Sequence, residues 1–242
     1  MDLRWQKRLK VKRVSTIAIV ASLFILSLFA GFTIYGNKVG NFVINVTNDD
    51  VKLSLSIYDD LSSPTGRLTF SGMTRIGDIT YSEIPEDIAK QETSKGVQGE
   101  KSVEDEFMAF SFYLINFSSR AVDYDMDLNL TDATGDSLSI IRVMLIEGDR
   151  AANDISNRIY AKAEKDDEAR EYLQKGLEIY GTYETEDFDL ENKRLFSVQG
   201  KDLGEGEAQK YTLVIWIEGC DIECTNERLG GRLKMQLDIY GY

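Results

Sequence analysis

The chain has 242 residues, 28 basic and 41 acidic, for a net charge of −13, and it contains no histidine. Without imidazole, a Ser-His-Asp or Cys-His nucleophile, an HExxH zinc site and a histidine general base are all excluded within these residues. Two cysteines cannot fill a zinc shell alone, so the sequence assigns no catalytic residue, no metal and no cofactor.

Residues 1–13 carry six basic side chains (Arg4, Lys7, Arg8, Lys10, Lys12, Arg13) against one acid, Asp2. Val14 to Gly36 then run 23 residues without a charge. At ~1.5 Å per helical residue this run is roughly 34 Å long, enough to cross the hydrocarbon core of a bilayer. The basic flank predicts a cytoplasmic N-terminus, hence a single-pass cell-membrane protein with residues 37–242 extracellular. A cleaved signal peptide is the alternative. Such peptides have apolar regions of about 7–15 residues and end in small-x-small sites. The exit here reads Phe32-Thr33-Ile34-Tyr35-Gly36-Asn37, so a retained anchor is expected, with Tyr35 at the interface. Setting aside the N-terminal 13 residues leaves 22 basic and 40 acidic side chains, a net charge of −18 on the ectodomain. That charge argues against nucleic acid or anionic lipid surfaces as partners.

Beyond the anchor the pattern switches to a period of two. Phe42, Ile44 and Val46 share one face of a first strand, and Val51, Leu53, Leu55 and Ile57 share one face of a second. The Asn48-Asp49-Asp50 turn between them predicts a hairpin. A weaker strand covers 67–71. Residues 72–105 form a long polar excursion in which Pro85 opens a short helix. Strands follow at 108–114 and 122–130, and the nearly all-apolar 138–146 predicts a central strand. Residues 149–193 form a second excursion, read as a surface insertion. Its stretch Asp166 to Glu178 has helical spacing of Ala169, Tyr172, Leu173 and Leu177. Strands resume at 195–198, 211–217 and 233–239. The expected fold is mainly β: an antiparallel β-sandwich, jelly-roll or Ig-like, with an inserted helical excursion and one preceding transmembrane helix.

Several residues carry candidate chemistry. Cys220 and Cys224 flank a turn, and outside the membrane they can close a small-loop disulfide, with free thiols as the alternative. So short a loop contributes only about 1–2 kcal/mol through chain entropy. Asp123, Asp125 and Asp127 alternate along a strand, which fits a solvated face. Counted from Asp123, the positions where an EF-hand needs Gly and Glu hold Leu128 and Thr134, so that motif fails, leaving a non-EF calcium loop at 131–136 as the alternative. Glu147 and Glu218 each follow an apolar strand, in Ile146-Glu147-Gly148 and Ile217-Glu218-Gly219. They are a candidate carboxylate pair for glycoside hydrolysis, weighed against simple turn capping beside glycine. The same echo can mark two repeated sandwich halves, or only turn chemistry. Asn45, Asn116 and Asn129 stand in Asn-x-Ser/Thr sequons on or beside strands.

The stretch from Val214 to Cys224, the following Gly230-Gly231 and the entry strand Val39 to Val46 resemble, in layout, the TasA/camelysin group of exported β-sandwich proteins of Gram-positive cell surfaces and biofilm matrix. The missing cleavage site departs from that group, and no catalytic residue carries over from it. The resemblance implies polymers built by strand donation, with residues 41–48 (Phe42, Ile44, Val46) as the candidate donated strand. The expected function is a non-enzymatic, membrane-anchored structural or interaction module of the cell surface, self-associating or bound to a surface protein. The alternatives are a glycan- or calcium-binding accessory ectodomain, and a carboxylate-dependent surface hydrolase.

Overall fold

Alternation decides which side of each strand meets water, and here it lays down two facing sheets. The computed structural model describes residues 42–48, 50–70, 78–85, 88–90, 107–134, 137–149, 155–162, 174–175, 178–179, 183–219, 221, 223–225 and 232–242. In chain order the strands are β1 (Phe42–Asn48), β2 (Leu53–Ser56), β3 (Arg67–Phe70), β4 (Asp78–Ile79), β5 (Phe107–Asn116), β6 (Val122–Thr134) and β7 (Ile141–Asp149). They continue as β8 (Ile155–Ala161), β9 (Gln174–Lys175), β10 (Glu178–Ile179), β11 (Glu186–Asp187), β12 (Arg194–Leu203), β13 (Ala208–Glu218) and β14 (Arg232–Gly241).

One sheet has the order β12-β6-β14-β1-β3. The other runs β11-β8-β7-β13-β5-β2, with β4 also on β13. β13 is its axis: it pairs β7 and β5 along most of its length, and β4 takes the edge that β5 leaves at Phe107. The inner faces share one apolar core. Phe42, Ile44, Met126, Leu128, Leu237 and Ile239 meet Phe110, Phe112, Val143, Leu145, Leu213 and Ile215. The rings of Phe42 and Phe110 lie 4.8 Å apart across the sheets, and those of Tyr160 and Phe196 4.9 Å.

β7 and β13 are apolar on both faces because the seven-stranded sheet is covered outside as well. Ile79, Ile84, Ile88 and Tyr183 pack on Met144, Ile146, Val214 and Trp216 in a second cluster. The described parts of both excursions therefore act as cover for the sheet. Among the described residues the outer face of the five-stranded sheet is mainly polar and half-exposed, with Val43 buried in it.

Four expectations need correction. The sheets are mixed: β1 runs parallel to β14, β4 to β13 and β11 to β8. β1 and β2 are not a hairpin. Both edges of β1 are taken, by β14 and β3, so the chain crosses after Asn48 and β2 pairs with β5 in the other sheet. The excursion 149–193 contributes β8 and β11, which belong to the sheet itself. The helix expected over 166–178 is absent from its described part: Gln174–Lys175 and Glu178–Ile179 pair as a short antiparallel ladder. Gly176 already weakens that helix in the sequence, while residues 163–173 lie outside the described set. The short helix at Pro85 is a single 3₁₀ turn, Ile88–Lys90, started by the Ile88 amide on the Pro85 carbonyl at 3.1 Å. Among the described residues no helix is long and apolar enough to cross a membrane. The apolar run 14–36 lies outside them.

At Gly200 and Gly241 buried side chains approach the backbone closely. A Cβ at Gly200 would sit 2.0 Å from the ring of Tyr124, which is buried and tied through its hydroxyl to Tyr211. A Cβ at Gly241 would sit 2.6 Å from both Leu53 and Val51. Gly200→Ala and Gly241→Ala are expected to destabilise the domain by about 1–3 kcal/mol each through overpacking. Gly66, with nothing within 4 Å of its built Cβ, is the control whose alanine variant leaves urea midpoints unchanged.

Candidate functional site

Arg142 is a full charge in the middle of an apolar strand. In Ile141-Arg142-Val143-Met144-Leu145-Ile146 the alternation turns it to the outer, covered face of the seven-stranded sheet, where its side chain is 1% exposed. A charge so buried requires partners. One Nη atom donates to Asp221 Oδ2 at 2.6 Å, and the other to the carbonyls of Ser139 and Ile141 at 3.2 and 3.3 Å. Burial by itself would lower the guanidinium's pKa, but Tyr183, Asp221 and Glu218 around it raise it on balance.

Glu218 ends β13 beside this pair and is fully buried. Its Oε2 accepts the Tyr183 hydroxyl at 2.7 Å and the Trp216 indole N–H at 3.1 Å. Its backbone amide donates to Ile140, and the Gly219 amide to Ile79, at 2.8 Å each. Burial pushes the Tyr183 hydroxyl well above the ordinary tyrosine range, against the pull of Arg142. The cluster fastens the turn after β13: Asp221 also accepts the Glu223 amide through its other oxygen at 2.7 Å. Cys224 lies half-buried against the core in that turn, whereas Cys220 is outside the described residues, so the geometry of the expected disulfide is outside them too.

A second polar cluster lies between the sheets at the opposite end of β13. Tyr124 and Tyr211 share a short hydroxyl–hydroxyl hydrogen bond, and Glu147 pairs with Arg158 next to Tyr160. Burial raises the hydroxyls of Tyr124 and Tyr211 and pushes that of Tyr160 up to about 12.

These placements separate the two candidate carboxylates. Glu147 stands opposite Tyr211 in the register, seven positions along β13 from Glu218. At ~3.4 Å per residue that is roughly 24 Å. Glu147 shares the inner face with Val143 and Leu145, while Glu218 shares the outer face with Val214 and Trp216. Glycoside hydrolysis needs two carboxyl groups about 5–10 Å apart. The echo that suggested two sandwich halves falls on β7 and β13, direct neighbours in one sheet.

The Asp123, Asp125 and Asp127 ladder lies half-exposed on the outer face of the five-stranded sheet, on the side opposite buried Tyr124, Met126 and Leu128. Asp127 stands directly opposite Asp238 on β14, a repulsive register. Each is compensated separately. Asp238 accepts the side-chain amides of Asn45 (3.1 Å), Asn129 (2.8 Å) and Gln236 (2.8 Å). Asp127 accepts Arg194, which also binds Asp189. The sequon side chains of Asn45 and Asn129 are thus engaged. Asn116 is fully buried, donates to the carbonyls of Arg120, Leu203 and Gly204, and accepts the Ser118 amide. Among the described residues no group of three or more His, Cys, Asp or Glu side chains is placed to hold a metal ion.

Sequence reading missed the partners of Arg142, and the signal was available: a lone arginine inside an apolar strand demands a buried carboxylate. Phe42, Ile44 and Val46 all point to the inter-sheet core. No family model, characterised protein or solved structure matches the chain.

Asp221→Ala is expected to cost about 3–5 kcal/mol, because it strips the carboxylate from a buried guanidinium. Arg142→Met combined with Asp221→Ala recovers much of that loss, and a double-mutant cycle on chemical unfolding measures it. Alkaline pH supplies a separate check. The unfolded chain loses its tyrosine protons near 10 and the folded chain holds that of Tyr160 to about 12, so this stabilisation is complete below pH 10 and lost as pH rises toward 12. Urea midpoints are expected to fall across that window, less steeply in Tyr160→Phe.

Proposed function

We propose that residues 37–242 form a non-enzymatic β-sandwich module of the cell surface, jelly-roll or Ig-like in type, held to the membrane by residues 14–36 and working as a structural or interaction part. The observation that carries this reading is the placement of Glu147 and Glu218 at opposite ends and faces of one sheet, each occupied by structural partners. That removes the support for a carboxylate hydrolase. The TasA/camelysin-like layout supports a role in surface or matrix assembly. Its donated-strand version asks β1 to leave two neighbours in its own chain, so it requires exchange rather than simple addition.

A ligand-binding accessory role has one observation in its favour. Tyr240 and Tyr242 are exposed beside the acidic face, and the Tyr242 hydroxyl donates to Asp125 at 3.3 Å. Exposed aromatic rings next to hydrogen-bonding carboxylates suit a glycan. The matching test is a rise in melting temperature with oligosaccharides or calcium.

The main reading is tested on intact cells and on purified protein. The chain is expected to stay with membranes through an alkaline carbonate wash, and protease added outside is expected to remove the ectodomain. Recovery in the soluble fraction would sink the tethered version. Purified 37–242 that remains monomeric at high concentration and after seeding with preformed oligomers would end strand donation.

A further inference from the structure

The direction of the two terminal strands of the sandwich sets how it responds to tension. β1 and β14 are adjacent and parallel, in register over seven residue pairs from Phe42↔Met235 to Asn48↔Gly241. The chain therefore enters at one end of this ladder and leaves at the other. A load applied between the segment before Phe42 and the residues after Gly241 slides β1 and β14 past one another along their length. The evenly spaced hydrogen bonds of a parallel ladder then share the load together. Antiparallel terminal strands would place entry and exit at the same end, and their bonds would open one pair at a time.

We infer that the β1–β14 seam is a mechanical clamp, and that the domain carries tension along the path from residues 37–41 to the end of β14. Three features reinforce the seam. β1 is also held on its other edge by four antiparallel pairs with β3, so it cannot slip without shearing a second ladder. The inner side of the seam is dry: Phe42, Ile44, Leu237 and Ile239 have no exposed surface, and Val43 on the outer side is 8% exposed. Water is thus kept from competing for bonds under strain. Near the middle of the ladder a side-chain tie crosses three strands, with Asn45 of β1 and Asn129 of β6 both donating to Asp238 of β14.

The use of such a clamp rests on the membrane-tethered reading, because a surface module anchored at its N-terminal side and held by a partner at the end of β14 is pulled along this path. The mechanics depend only on the register. A clamp of this kind resists rapid loading through a slow forced unfolding rate rather than through equilibrium stability alone.

Single-molecule pulling of the full chain in detergent micelles tests the inference in two geometries. In the first, handles sit at the N-terminus and at residue 242, which loads the seam in shear. In the second they sit at the N-terminus and at exposed Lys234, beside the Phe42↔Met235 pair, which peels β1 from its first pair. Unfolding force is expected to be at least about twofold higher in the shear geometry, since parallel pairs break together there rather than singly. Asn45→Ala is expected to lower the shear force and leave the peeling force unchanged. Equal forces in the two geometries, or a lower force in shear, would overturn the inference. Failure of the chain to fractionate with membranes would overturn the tethered reading alone, because the handles hold the protein in either case.

Discussion

The parallel pairing of β1 with β14 is the constraint on which the sandwich depends. β14 sits between β1 and β6, so the five-stranded sheet has a gap at its centre until residues 232–241 are in place. The Asn45–Asp238 bond spans 193 residues of sequence, and the inner side chains of β1 belong to a wall of the core that is incomplete without β14. Loop closure of that length must precede its reward, which marks the sheet as a late and slow event in folding. The seven-stranded sheet has a different logic. Its centre, β13 between β5 and β7, is assembled from neighbours closer in sequence, and it presents the surface on which the other sheet closes.

Polar groups inside the fold sit where backbone pairing ends. Arg142, Glu218 and Asp221 gather where β13 gives way to a turn, and their partners are the Glu223 amide of that turn, the Ser139 and Ile141 carbonyls at the start of β7, and the Tyr183 and Trp216 side chains. Asn116 does the same work at the far end, satisfying the carbonyls of two turns with one amide. In both places a buried polar side chain substitutes for the strand partner that a turn lacks, which is the condition for burying a turn at all. Breaking either cluster leaves several unsatisfied groups rather than one, so the cost falls on the stability of the whole sandwich.

Much of this was legible in the sequence. β5, β6, β7, β13 and β14 announce themselves through apolar residues every second position, or through runs apolar on both faces. β8 was hidden because its inner positions hold Arg158 and Tyr160, so alternation of aliphatic residues is missing. The crossing after β1 was hidden for a deeper reason: two alternating runs and a short turn specify the strands but not their partners. The partner of β1 lies at the other end of the sequence, and only the competition among strand edges for hydrogen bonds decides the pairing. The candidate carboxylates show the same limit. Spacing read Glu147 and Glu218 as each following an apolar strand; Glu218 is the last residue of β13, whereas Glu147 lies inside β7, and spacing could not say that antiparallel register sends them to opposite poles.

The acidic surplus of residues 37–242 constrains how copies of this module can meet. On the outer face of the five-stranded sheet Asp127 and Asp238 are locally compensated, but Asp123 and Asp125 are answered by backbone amides and hydroxyls rather than by cations. Two such faces brought together would add like charges across a low-dielectric gap, at a cost that rises as salt is removed. Edge-to-edge pairing is limited too. β3 offers four residues, and β12 is an irregular edge strand, its ladder with β6 shifted in register at Arg194/Phe196 and Gly200/Leu203. At the end of the sandwich where β5 and β14 finish stand the exposed rings of Phe117, Tyr240 and Tyr242. The β1–β14 seam also ends there, so the exposed rings and the last pair of that ladder, Asn48↔Gly241, lie at one pole of the sandwich.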